Sequence, residues 1–228
     1  MKSSPSHRSV STTLLVICTL VFLWQLSLAP ADSWRLVYNL GVIPAVLFHS
    51  APLPVEPILP LPPALTLITS QFLHGSWVHL IGNLLYLWIF GDAVEEAMGT
   101  VRFLAFYLLC GSTAVLAQAL CNPALTIPMI GASGAIAGVL GAYLLLHPWA
   151  RIHVLIPLGA FSRVMYLPAS GVIGFWLLLQ LLGAILADSR QSSIGWLAHL
   201  GGFVTGMVLL PVCKFRQVRL FSRSRHYS

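Results

Sequence analysis

Runs of apolar residues about as long as a bilayer is thick alternate with short polar stretches along almost the whole chain. Crossing ~30 Å of hydrocarbon takes about 17 to 25 helical residues. Segments 11–29, 77–96, 101–120, 132–147, 170–187 and 194–213 meet or approach that length, which predicts six membrane-spanning helices. The fourth is short, which a span tolerates when its outer end opens into a water-filled cavity instead of lipid. Trp77, Trp149 and Trp196 stand at segment ends, where interfacial aromatic side chains belong. The predicted fold class is an all-α integral membrane bundle of six transmembrane helices.

Charge orients the bundle. With the N-terminus cytoplasmic, the inner side holds Lys2, Arg8, Arg102, Arg151, Arg163, Lys214, Arg216, Arg219, Arg223 and Arg225, and the outer side only Arg35 and Arg190. That bias predicts both termini cytoplasmic. The organisation is then a cytoplasmic tail 1–10, a membrane domain 11–213 and a basic cytoplasmic tail 214–228. Composition agrees: 57% of residues are hydrophobic and 8% charged, against roughly 25% charged in a soluble domain. The net charge of +6 does not point to nucleic acid, because five basic residues cluster in the last fifteen positions, where anionic lipid is the natural partner. Lys2, Arg8, the first apolar run and Ala29-Pro30-Ala31 resemble a secretory signal, but the run is long for one and Pro30 sits at the cleavage motif. An uncleaved first helix is the better reading.

The connection 30–76 is long, and six prolines between Ala51 and Pro63 forbid helix through its middle. Leu40–Phe48, beside it, is apolar enough to dip into the interface. No internal repeat is evident, against an inverted-repeat transporter.

In this topology spans two, four and six run inward from the outer face. They place His79, Ser133 and His199 at one depth. Ser133 follows Gly131-Ala132 and opens the fourth span, so its backbone N–H is among the unpaired donors of a helix start. Gly134, Ala137, Gly138 and Gly141 keep one side of that helix small. His199, Gly202 and Gly206 share a face of the sixth span, and packing the two small faces together brings the imidazole toward the hydroxyl. That is the geometry of a base-activated nucleophile. His79 and Asn83, one turn apart on span two, serve equally as oxyanion donors or as an interhelical clamp. No acid other than Asp188 stands near His199 in sequence, so a Ser–His dyad is preferred to a triad. No His-Glu-x-x-His occurs, His74 and His79 are five apart, and no Cys-x-x-Cys occurs, so neither metal nor cofactor is expected.

At these residues the chain resembles the rhomboid family of intramembrane serine proteases. The resemblance runs from about Phe72 to Gly206 through Leu73-His74-Gly75, His79-x-x-x-Asn83, Phe90-Gly91, Glu95-x-x-x-Gly99, Gly131-Ala132-Ser133-Gly134 and Ala198-His199-x-x-Gly202-x-x-x-Gly206. It implies a rhomboid-like six-helix core, Ser133 as nucleophile and His199 as base. It further implies an oxyanion hole of His79, Asn83 and the Ser133 amide, and a structural role for Glu95. The implied substrates are single-pass membrane proteins cut near the outer face. Two departures stand out. Trp34-Arg35 lies at the start of the first outer loop, far from the histidine segment, and Ala137 stands where some relatives carry an aromatic beneath the histidine ring. Loop 30–76 and span five, with Phe175 and Trp176, are candidate gates. The alternative function is a non-catalytic rhomboid-like adaptor that binds transmembrane helices. The short loops and lack of a transit peptide suit a bacterial inner membrane.

Overall fold

A computed structural model describes residues 10–158, 161–186 and 195–222 of the chain. Lys2, Arg8, Asp188, Arg190, Arg223 and Arg225 lie outside the described residues. Six long or mid-length apolar helices carry the fold: α1 Val10–Ser27, α5 Trp77–Met98, α6 Thr100–Cys121, α7 Ser133–Leu146, α8 Ala169–Leu186 and α9 Trp196–Cys213. Between α1 and α5 come α2 Pro30–Leu40, α3 Pro44–Leu47 and α4 Thr66–Thr69, with tight turns at Pro63–Leu65 and Ser70–Phe72. All but α7 of the six are long and apolar enough to cross a membrane.

α7 has 14 residues, which makes it about 21 Å long. It is short because it meets protein rather than lipid: every residue from Gly134 to Tyr143 is buried. Tyr107, Phe103, Phe106 and Cys110 of α6 and Phe90 of α5 pack in the same core.

Polar groups at helix ends fix how the bundle is wound. A helix start leaves N–H groups without intrahelical partners, and a buried one needs acceptors from elsewhere. The Glu95 carboxylate near the end of α5 supplies them to α1, accepting from Val10 N at 3.0 Å, Ser11 N at 2.9 Å and Ser11 Oγ at 2.8 Å. At the opposite end, Gln25 of α1 bonds both backbone groups of His74, at 3.2 and 3.1 Å. α1 and α5 are therefore antiparallel. The α5–α6 junction rests on the segment after α9: Phe215 N donates to Ala97 O at 2.9 Å, and the Phe215 ring lies beneath Gly99. Gly99 has φ +84, a conformation that favours glycine, and a Cβ there would come 2.9 Å from that ring.

The membrane bundle is helical throughout, as expected, but the connection from α7 to α8 adds a ribbon. β1 Arg151–Leu158 pairs antiparallel with β2 Phe161–Pro168, in register from Arg151↔Pro168 to Leu158↔Phe161. Alternation marks its root, where Ile152 is buried between exposed Arg151 and His153.

In the loop 30–76, residues 51–62 are irregular, as their prolines require. The neighbouring stretch packs against the protein. Val42, Ile43 and Ala45 are buried inside the protein, where Val42 exchanges backbone bonds with Met129 at 3.0 and 2.8 Å and Ala45 N donates to Leu125 O. Loop 30–76 thus braces the segment that leads into Ser133. Trp34 and Arg35 fall on α2, where Trp34 packs on Tyr38 and Arg35 donates to Glu56 O at 3.3 Å. Trp196 opens α9 with its ring against Gly183 of α8, too close to admit a Cβ.

Candidate active site

Three helices deliver the polar groups. In α5, the Ser76 side chain caps the helix start by accepting from His79 N at 3.2 Å, which sets His79 in the first turn and Asn83 one turn below. In α7, Ser133 is the first helical residue. In α9, His199 follows Trp196 by three residues, and Gln118 of α6 accepts one of the free N–H groups of that helix start, Leu197 N, at 3.1 Å.

The approach of α7 and α9 decides what meets what. A Cβ on Gly202 would collide with the Gly134 carbonyl, one on Gly206 with the Gly138 carbonyl, and one on Gly141 with the Phe203 carbonyl. The two helices touch backbone to backbone, as small residues allow where lipid supplies no hydrophobic drive. At the top of that seam, His199 Nε2 lies 2.8 Å from Ser133 Oγ. His79 and Asn83 reach the same place from the other side. Gly131, at φ +121 and tied by its N–H to Ser70 O at 2.9 Å, has no room for a side chain. A Cβ there would stand 2.6 Å from His79 Nε2 and 3.8 Å from Asn83 Nδ2. Both potential donors therefore converge on the backbone just before Ser133. Buried Asn83 Nδ2 has no protein partner among the described residues.

His79, Asn83, Ser133 and His199 line one cavity of about 560 Å³, together with Trp176, Tyr86 and the Pro128–Ile130 segment. Trp176 of α8 faces the imidazole, ring centroids 5.9 Å apart. It puts an aromatic beside His199 from a different helix, while Ala137 leaves α7 free to approach α9. Phe175, paired with it above as a candidate gate, turns outward and is 64% exposed. Outside the spans, burial and then the neighbouring His79, partly offset by the Phe72 carbonyl, push the His74 imidazole down to about 4. No cluster of three or more His, Cys, Asp or Glu able to hold a metal occurs among the described residues.

The family model described as the Rhomboid domain matches residues 63–214. The chain belongs to the rhomboid family. Among its relatives, Rhomboid-like protein 11, chloroplastic, of Arabidopsis thaliana is 34% identical over 148 residues, 63% of this chain and 50% of that protein. Rhomboid protease GluP of Bacillus subtilis is 35% identical over 140 residues, 61% of this chain and 24% of that one. The putative rhomboid protease YdcA of the same organism is 30% identical over 159 residues, 68% of this chain and 70% of that one. The chain spans about half or less of the first two. Of the rhomboid residues named from sequence, Ser133, His199, His79 and Asn83 meet in one cavity, and Glu95 lies far from it, holding α1. Asp188 falls outside the described residues.

Sequence reading missed Gln180. Its amide stands in α8, 6% exposed, with Oε1 2.7 Å from His199 Nδ1. The signal was a lone side-chain amide, four positions after Trp176, in the middle of an apolar run.

Proposed function

We propose that this rhomboid is an intramembrane serine endopeptidase. The observation that carries the reading is the 2.8 Å pairing of Ser133 Oγ with His199 Nε2 in a cavity that Asn83 also lines, its Nδ2 without a partner among the described residues. Nε2 takes the hydroxyl proton as Oγ attacks a peptide carbonyl, and the resulting oxyanion is held by His79, Asn83 and the Ser133 N–H. His199 then protonates the leaving amine. Water, entering through the cavity, hydrolyses the acyl-enzyme, with His199 again as base.

Residues 11–213 form one membrane domain in this reading, with Glu95 fastening α1 to the region that matches the family. The described basic residues other than Arg35 follow the ends of α5, α7 and α9, away from the cavity, so both tails face the cytoplasm and the cavity opens near the outer face. Substrates are single-pass membrane proteins whose helices unwind readily there, since a hydrogen-bonded helix hides its carbonyls. A bacterial plasma membrane is the proposed location, which the short connections between spans, such as the single residue between α5 and α6, suit.

The test uses the full-length chain in liposomes with a panel of tagged single-pass proteins. The wild type should release fragments, and Ser133→Ala and His199→Ala should not, while both keep the wild-type thermal midpoint. Turnover by either variant overturns the proposal, and a folded wild type inert to every substrate and to serine-directed probes favours the adaptor.

A further inference from the structure

Gln180 is the only polar side chain among the buried residues of α8, and it touches the imidazole on the side away from Ser133. Its amide cannot be turned around. Gln180 Nε2 lies 3.1 Å from Trp176 O, and a carbonyl oxygen only accepts, so the amide nitrogen must face Trp176. The amide oxygen therefore faces His199, at 2.7 Å from Nδ1. An amide oxygen also only accepts, so Nδ1 must carry the proton. In a neutral imidazole that leaves Nε2 bare, and Nε2 is the atom 2.8 Å from Ser133 Oγ.

The chain of bonds then runs one way: Ser133 Oγ–H to His199 Nε2, His199 Nδ1–H to Gln180 Oε1, Gln180 Nε2–H to Trp176 O. We infer that Gln180 is the positioning residue of this site, the neutral group that selects the His199 tautomer able to accept the serine proton. The inference rests on the hydrolytic reading of Ser133 and His199, and assigns to an amide the orienting role that an acid plays in a triad. It also accounts for a dyad with no carboxylate beside it among the described residues. A carboxylate would place a buried charge beside the cavity, whereas an amide fixes the tautomer without one.

The alternative is that Gln180 merely clamps α8 to α9. The two roles separate in Gln180→Leu and Gln180→Glu. Leucine fills the space but accepts nothing. Glutamic acid keeps an oxygen toward Nδ1 and, in its neutral form, an O–H toward Trp176. With the full-length protein in liposomes and a fluorophosphonate probe, Gln180→Leu should slow labelling of Ser133 by about 10- to 100-fold, and lower kcat for a tagged substrate with KM unchanged. Gln180→Glu should return both to within a few-fold of wild type. The ¹⁵N signals of His199, assigned against His199→Ala, should show protonated Nδ1 in the wild type and a shift toward protonated Nε2 in Gln180→Leu. Labelling of Gln180→Leu at the wild-type rate, absence of rescue by Gln180→Glu in a protein with an unchanged thermal midpoint, or a protonated Nε2 in the neutral wild-type imidazole each overturns the inference. A wild type that never labels defeats the hydrolytic reading instead, and the ¹⁵N spectrum still decides the tautomer.

Discussion

α8 and α9 are both 18-residue apolar helices, and both bring a polar group to the same spot, yet they are held in opposite ways. α9 lies against α7 so closely that three glycines on the two helices have neighbouring backbone where a side chain would be. α8 buries only Ala169, Ile173 and Gln180, and a Cβ added at its Gly174 would meet nothing within 4 Å. The packed seam sets the distance between Ser133 and His199. The loosely seated helix contributes orientation, through one amide and one indole. Distance is thus built into backbone contact, which cannot adjust, while orientation is left to a helix that can.

Matched substitutions break that comparison most sharply. Gly206→Val is expected to abolish labelling of Ser133 and lower the thermal midpoint, because its side chain would occupy the place of the Gly138 carbonyl. Gly174→Val, the same change on α8, should leave both within error. A Gly206→Val protein that labels normally would mean that the seam does not set the distance.

Next in size is the face opposite the imidazole. Asn83→Ala should cost about 10²- to 10³-fold in kcat, the range for one oxyanion donor, with little change in thermal midpoint. A loss of stability with kcat retained would make Asn83 a clamp between helices, the other role its spacing allowed.

The smallest effect concerns His74, which is buried on the packed side with its ring 5.2 Å from that of His79. Its proton affinity in the fold, near pH 4, lies below the ordinary value of 6.5. The unfolded chain therefore takes up the proton first as pH falls. Stability should be full above pH 6.5, decline as pH drops toward 4, and level off below, with a ceiling of about 3 kcal/mol. Thermal scans of Ser133→Ala across that window should show the decline, and His74→Gln should make it shallower.

Much of this was legible in the chain because lipid leaves few choices. Apolar runs had to be helices, and the six boundaries read from sequence fall within a few residues of those observed. The seam was legible too, since Gly134, Gly138 and Gly141 against Gly202 and Gly206 can only mean close approach. What stayed hidden depended on partners distant in sequence. Val42 pairs with Met129, a contact between residues 87 positions apart that apolar character alone does not announce. Gln180 sits inside a run whose hydropathy marks it as a span and says nothing of which residue it faces. The strands after α7 lay in a stretch too short and mixed to compete with the membrane signal.

The central claim is that His199 activates the Ser133 hydroxyl, and a covalent probe tests it most directly. Treated with a fluorophosphonate in liposomes and mapped by mass spectrometry, the wild-type protein should carry one adduct, on Ser133, and folded His199→Ala should carry none. An adduct on another residue, or labelling of Ser133 in His199→Ala at the wild-type rate, would contradict the account.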